Sequence, residues 1–208
     1  MNLLAPVICT LVFWLSTVDA GSNTFGSETD FLAASTPDAS LYEFLTARGD
    51  LNGDGKEDAA VVAITGSGGE KYRQLFVLVG DGAGQFALAA SSAQALIPGA
   101  GCCWTESVTI ERGGIYVENN AGTYFDTETA VHQFKLYKNT WRLVGVKISN
   151  WKSTEPEENT VRDTNVLTGR TNHSSKIVGQ PERRWTTRQP TKIYLLRDYD
   201  FFNGFGAH

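Results

Sequence analysis

Asp50-Leu51-Asn52-Gly53-Asp54-Gly55-Lys56-Glu57-Asp58 decides how the rest of this chain is read. Side-chain oxygens recur at every second position, Asp50, Asn52 and Asp54, and Gly55 permits a sharp turn. The backbone carbonyl of Lys56 and the carboxylate of Asp58 complete a set of hard oxygen donors. Donors of this kind at this spacing suit Ca²⁺, which accepts six to eight oxygens in a flexible geometry. Three carboxylates so close repel one another without a cation. The plainer reading is a polar Asn-Gly/Asp-Gly turn between strands. Both glycines and every oxygen position fall in register, which favours the ion.

The loop is not an EF-hand. Counting Asp50 as the first position, the twelfth is Val61, where an EF-hand places its bidentate Glu. The run Ala59-Ala60-Val61-Val62-Ala63-Ile64-Thr65 is short, apolar and rich in β-branched residues, so the loop feeds a strand. Asp58 then closes the ion shell and Glu57 faces solvent.

Further short β-prone runs recur between turn signals, at residues 41–48, 73–79, 86–91, 107–111, 115–118, 124–137 and 141–149, with final candidates at 164–167 and 192–197. Arg112-Gly113-Gly114 and Lys138-Asn139-Thr140 read as hairpin turns. Val131, Gln133 and Lys135 alternate with His132, Phe134 and Leu136, so that strand has one wet face. Residues 28–34 and 91–96 are the only helix candidates. Residues 152–160 read as an exposed loop, and 171–189 as a polar, basic and mobile stretch. The sum is a mostly-β, antiparallel single domain over residues 21–208.

These residues carry a family resemblance. From Gly49 to Leu88 the chain resembles one FG-GAP or VCBS-type repeat: calcium loop, strand, glycine-rich turn, strand, then a Gly-Asp-Gly-x-Gly-x-Phe hairpin. That resemblance implies an elaborated propeller blade. With no second Asp-x-Asn-x-Asp-Gly run, a propeller within one chain is not implied. More widely, the leader, the single loop, the Trp-Arg-Leu-Val-Gly strand from Trp141 and the Asn-x-Leu-Thr-Gly-Arg motif from Asn165 resemble small cell-envelope proteins of Gram-negative bacteria. Some of these are immunity proteins against peptidoglycan-hydrolysing toxins of type IV secretion systems, similar in shape to periplasmic lysozyme inhibitors. The resemblance implies a periplasmic or secreted protein that binds a hydrolase or toxin.

Residues 1–20 hold an apolar run and then Val18-Asp19-Ala20 before Gly21, which reads as a signal peptide cleaved after Ala20, despite the missing basic start. The run is too short for a membrane span. Net charge is −5, unevenly placed: residues 21–159 hold ten Lys/Arg against eighteen Asp/Glu, and 160–208 hold eight against four. An acidic chain with dispersed basic residues is not a nucleic-acid footprint. Cys102 and Cys103 are adjacent between Gly101 and Trp104. They can close as a strained vicinal disulfide, remain free thiols, or bridge to another chain.

No serine elbow, His-Glu-x-x-His run or phosphate-binding loop is present. Asp126 and Glu128 share a strand face, but surface carboxylate pairs of this kind are much commoner than catalytic dyads. The expectation is therefore binding without catalysis. Two readings remain beside the inhibitor: a calcium-dependent adhesion or assembly module, and a hydrolase of unrecognised type. For an inhibitor, the anchor candidates are Tyr124, on a loop from Asn119 to Tyr124, and Tyr72, after the Gly68-Gly69 turn.

Overall fold

The computed structural model describes residues 23–36, 40–67, 70–96, 103–123, 125–153 and 155–199. In chain order the elements are β1 (Thr24–Phe25), α1 (Glu28–Ser35), β2 (Ser40–Gly49), β3 (Asp58–Ser67), β4 (Glu70–Gly80), β5 (Phe86–Ser91) and β6 (Ala95–Leu96). Then follow β7 (Cys103–Glu111), β8 (Gly114–Gly122), β9 (Asp126–Tyr137), β10 (Thr140–Lys152), β11 (Glu158–Asn165), β12 (Arg170–Ile177), β13 (Arg183–Arg188) and a 3₁₀ turn, Leu196–Asp198. The strands form two antiparallel sheets. The first runs β1-β5-β4-β3-β2 with β6 beside β4, and the second is a meander in the order β13 to β7. The mostly-β, antiparallel reading holds. Among the described residues no helix is long and apolar enough to cross a membrane.

The strand after the loop is central because it is apolar on both faces. Ala60 and Val62, with Leu75 and Val77, turn toward the second sheet and meet a core that includes Val117, Phe134, Leu143 and Ile148. Ala59, Val61 and Ala63 turn the other way, onto Phe31 and Leu32 of α1 together with Phe76, Leu78 and Phe86. Helix, first sheet and second sheet thus stack as three layers, with β3 in the middle one. A strand buried on both faces reads as a continuous apolar run, the pattern of residues 59–64. Each large side chain so buried contributes about 1.5–3 kcal/mol.

α1 starts where the sequence supplies a cap. Ser27 Oγ accepts the Asp30 backbone N–H at 3.1 Å and donates its hydroxyl to the Asp30 carboxylate at 2.8 Å. Arg48 of β2 clamps the buried Glu28 at both carboxylate oxygens, each at 2.7 Å, tying helix to sheet. The guanidinium holds the Glu28 carboxyl below its ordinary range despite burial.

Several boundaries differ from the sequence reading. Residues 91–96 are not helical: Ser92 Oγ accepts the Leu75 N–H at 3.0 Å and its carbonyl accepts from the Gln74 side chain at 2.8 Å, which hold the segment extended against β4. β8 continues to Gly122, so Asn119 and Asn120 are strand residues and not a projecting loop; Thr105 and Thr129 donate to their side chains. The stretch 171–189 is mostly strand, with β12 entering it from Arg170 and β13 inside it, and β11 begins at Glu158, inside the expected loop. Polar cross-strand pairs hold that region, among them Thr164 with Thr171 at 3.0 Å and Asn172 with Thr186 at 3.2 Å. The segment 192–197 touches β10 through an Arg142–Leu195 bridge and then turns, instead of forming a strand.

Candidate metal centre

The loop from Asp50 to Asp58 joins β2 to β3 and curls around its own acidic side chains. Asp50 Oδ1 accepts the Gly53 N–H at 2.7 Å and Oδ2 accepts the Gly55 N–H at 3.0 Å. Those bonds hold the Asp50 carboxyl below its usual range, so it stays ionised. Asn52 Oδ1 accepts from the Asp54 N–H, and Asp54 Oδ1 from the Lys56 N–H, each at 2.9 Å. Gly53 and Gly55 have φ of 82° and 77°. A Cβ on either would meet nothing within 4 Å, so these positions select glycine for backbone conformation and not for space.

Asp58 is placed differently. It is 0% exposed. Its Oδ2 accepts the Leu51 N–H at 2.8 Å, and its Oδ1 accepts the Gly80 N–H at 2.9 Å. One carboxylate therefore joins the start of the loop to the end of β4, a hairpin away. Gly80 is glycine for a second reason: a Cβ there would lie 2.0 Å from the Glu57 carbonyl oxygen. The neighbouring β4–β5 turn repeats the device, with Asp81 Oδ1 accepting the Ala83 and Gln85 N–H groups at 2.7 and 3.1 Å.

The donor chemistry fits a hard divalent cation. Asp50, Asn52 and Asp54 turn their oxygens to the loop's own backbone. Each carboxylate or amide oxygen engaged by one N–H keeps a further lone pair. All the donors are oxygens, as Ca²⁺ takes. Asp50, Asn52, Asp54 and Asp58, with the Lys56 carbonyl, are the residues that would hold it. The Lys56 ammonium stands 3.9 Å from Asp54 Oδ2. Among the described residues, no group of three or more His, Cys, Asp or Glu side chains is gathered for a metal. Asp50, Asp54 and Asp58 are each engaged by backbone N–H groups, while Glu57 pairs with Arg48 at 3.0 Å.

The other expected site residues scatter. Tyr72 lies in β4, and its hydroxyl donates to the Glu70 carboxylate. Tyr124 and Cys102 lie outside the described residues; Cys103 opens β7, and its pairing with Cys102 falls outside them too. Asp126 and Glu128 do share a face of β9. They line a groove of about 510 Å³ with Asn150, Lys152, Glu158 and Thr160.

His132 is buried, and its role was not legible. It is 5% exposed, with the Tyr199 ring 5.2 Å away and Asn119 Nδ2 3.5 Å from its Nδ1. Burial pushes its pKa down to about 4, so the imidazole is neutral. In the sequence it stands in register with Phe134, the one available signal that it faces the core.

Comparison with protein-family models, with curated proteins and with solved structures gave no match for this chain.

Proposed function

We propose that this chain is an exported binding protein whose first sheet is pinned by a structural Ca²⁺, and that it acts by occupying a peptidoglycan-hydrolysing effector rather than by catalysis. The observation that supports the calcium element is the curled loop itself, with Asp50 bonded at Gly53 and Gly55 and Asp58 fixed between Leu51 and Gly80. When bound, the ion supplies charge neutralisation for Asp50, Asp54 and Asp58 and closes the loop as a unit. The residues of the chain do the rest. Asp58 ties the loop to β4, and Gly80 allows that approach.

The effector element rests on the family resemblance. The resemblance motifs fall partly in the second sheet: Trp141 and Leu143 are core residues of β10, and Asn165 Oδ1 accepts the Thr168 N–H at 3.0 Å in the turn after β11. Both motifs thus have scaffold roles, leaving the strand ends and turns to meet a partner. The experiment is affinity purification of the tagged protein from its own cells, with calcium present, followed by a lysis assay with any cell-wall hydrolase recovered. Inhibition of lysis supports the proposal. A recovered hydrolase that lyses walls undiminished in excess protein overturns it, and recovery of surface or matrix proteins alone favours the adhesion reading.

A further inference from the structure

The inner face of the second sheet changes character along its length. Its apolar part ends at Ile148 of β10 and Ala130 of β9. Continuing the same alternation gives Asn150 and Lys152 on β10, and Glu128 and Asp126 on β9. The neighbouring strand β11 supplies Thr160 and Glu158, and these six residues are among those that line the groove of about 510 Å³.

Across β11 to β13 the same face carries a ladder of register partners: Ile148 opposite Arg162, Arg162 opposite His173, and His173 opposite Trp185. The rings of His173 and Trp185 stack with centroids 4.9 Å apart and planes within 4°. His173 Nε2 bonds Thr187 Oγ1 at 2.8 Å, which fixes the ring, while Trp185 remains 47% exposed. Arg183 stands one row further on, opposite Ser175. The band thus holds three carboxylates, Asp126, Glu128 and Glu158, and three cations, Lys152, Arg162 and Arg183. Among the described residues no ion pair within 4.0 Å joins them.

We propose that this face binds a linear, uncharged oligosaccharide, with Trp185 as the stacking platform and the groove as the hydroxyl-binding end. A balanced band has no net field to select a polyanion or a polycation. Hydroxyl groups both donate and accept, so one polyol can use carboxylates as acceptors and Lys152, Arg162 and Arg183 as donors. A flat sugar face stacks on an exposed indole, and an indole already held by His173 loses little freedom on binding. From β13 to β9 is four strand spacings, roughly 19 Å, which suits an extended ligand of several hexose units. The calcium loop lies at the other end of this sheet, beside the β7–β8 turn, where Gly113 approaches the Leu51 carbonyl. Saccharide binding therefore does not depend on the calcium reading.

The test is isothermal titration of the full chain with two probes, cellohexaose and chitohexaose. Binding of either is the expected result, and the one that binds identifies whether the N-acetylated or the plain glucan is preferred. Trp185→Ala should weaken binding by about tenfold or more, the equivalent of about 1.4 kcal/mol. Glu128→Ala should weaken it at the groove end, while Lys147→Ala, an exposed residue of the opposite face, should leave it unchanged. No heat from either sugar at millimolar concentration overturns the proposal. So does Trp185→Ala binding as well as the parent, given an unchanged circular dichroism spectrum.

Discussion

Replacing Asp58 separates what the carboxylate does for the fold from what the loop does for an ion. Its two oxygens accept the Leu51 and Gly80 N–H groups at 2.8 and 2.9 Å, out of contact with water. Hydrogen bonds to a charged group contribute about 1.5–3 kcal/mol each, so Asp58→Ala should cost about 3–6 kcal/mol. That is a large share of the 5–15 kcal/mol typical of a folded domain. Asp58→Asn keeps one acceptor oxygen but presents an amide NH₂, itself a donor, to the other N–H, and should cost about half as much. Asp54 is exposed, and its Oδ1 accepts only the Lys56 N–H, so Asp54→Ala should cost under about 1 kcal/mol in a chelator. Urea unfolding in EDTA measures all three, because a change in midpoint at constant slope reports stability. Asp58→Ala unfolding at the parent's midpoint in EDTA would refute this account of the carboxylate. So would an Asp54→Ala loss as large as that of Asp58→Ala under the same conditions.

Further outcomes follow from the buried His132 and from two glycines of the β4–β5 region. The His132 imidazole takes a proton near 6.5 when unfolded but only near 4 in the fold. The unfolded state therefore binds more protons between those values. Stability should be full above pH 6.5 and fall by about 3 kcal/mol by pH 4, a loss that His132→Gln removes. Glu28, held low by Arg48, acts in the same direction at lower pH. Gly80→Ala should cost about 2 kcal/mol or more, since its Cβ meets the Glu57 carbonyl at 2.0 Å. Gly84→Ala has open space and only a positive φ to strain, so about 1 kcal/mol is expected by thermal unfolding.

The central strands of the first sheet were legible because their signals are local, whereas the two-residue strands β1 and β6 were not. The loop's glycines, the apolar run after it and the Phe86 hairpin mark β3 to β5 to within three residues, and the expected helix at 28–34 matches α1 to one residue. The second sheet was legible only where it packs. Residues 131–149 show alternation or apolar runs because one face is core. β11, β12 and β13 have no such pattern, since Arg162, His173 and Trp185 occupy the positions that would otherwise be apolar. A polar loop and a polar strand then read alike. For the same reason 119–122 looked like a loop: Asn119 and Asn120 are satisfied by Thr105 and Thr129 on neighbouring strands, partners distant in sequence. At the candidate site the donor spacing was legible, but the burial of Asp58 and its bond to Gly80 depend on a hairpin more than twenty residues later.

The most direct test of the central claim is calorimetry of chelator-stripped protein titrated with Ca²⁺, paired with thermal unfolding at each calcium level. Saturable binding of a single ion is the expected result. At about one hundred times its dissociation constant, the ion should add about 2.7 kcal/mol. For a chain of this size that raises the melting temperature by roughly 5–10 °C. Asp54→Ala should abolish both the heat and the shift. Absence of binding heat, together with a melting temperature unchanged between EDTA and millimolar Ca²⁺, would contradict it.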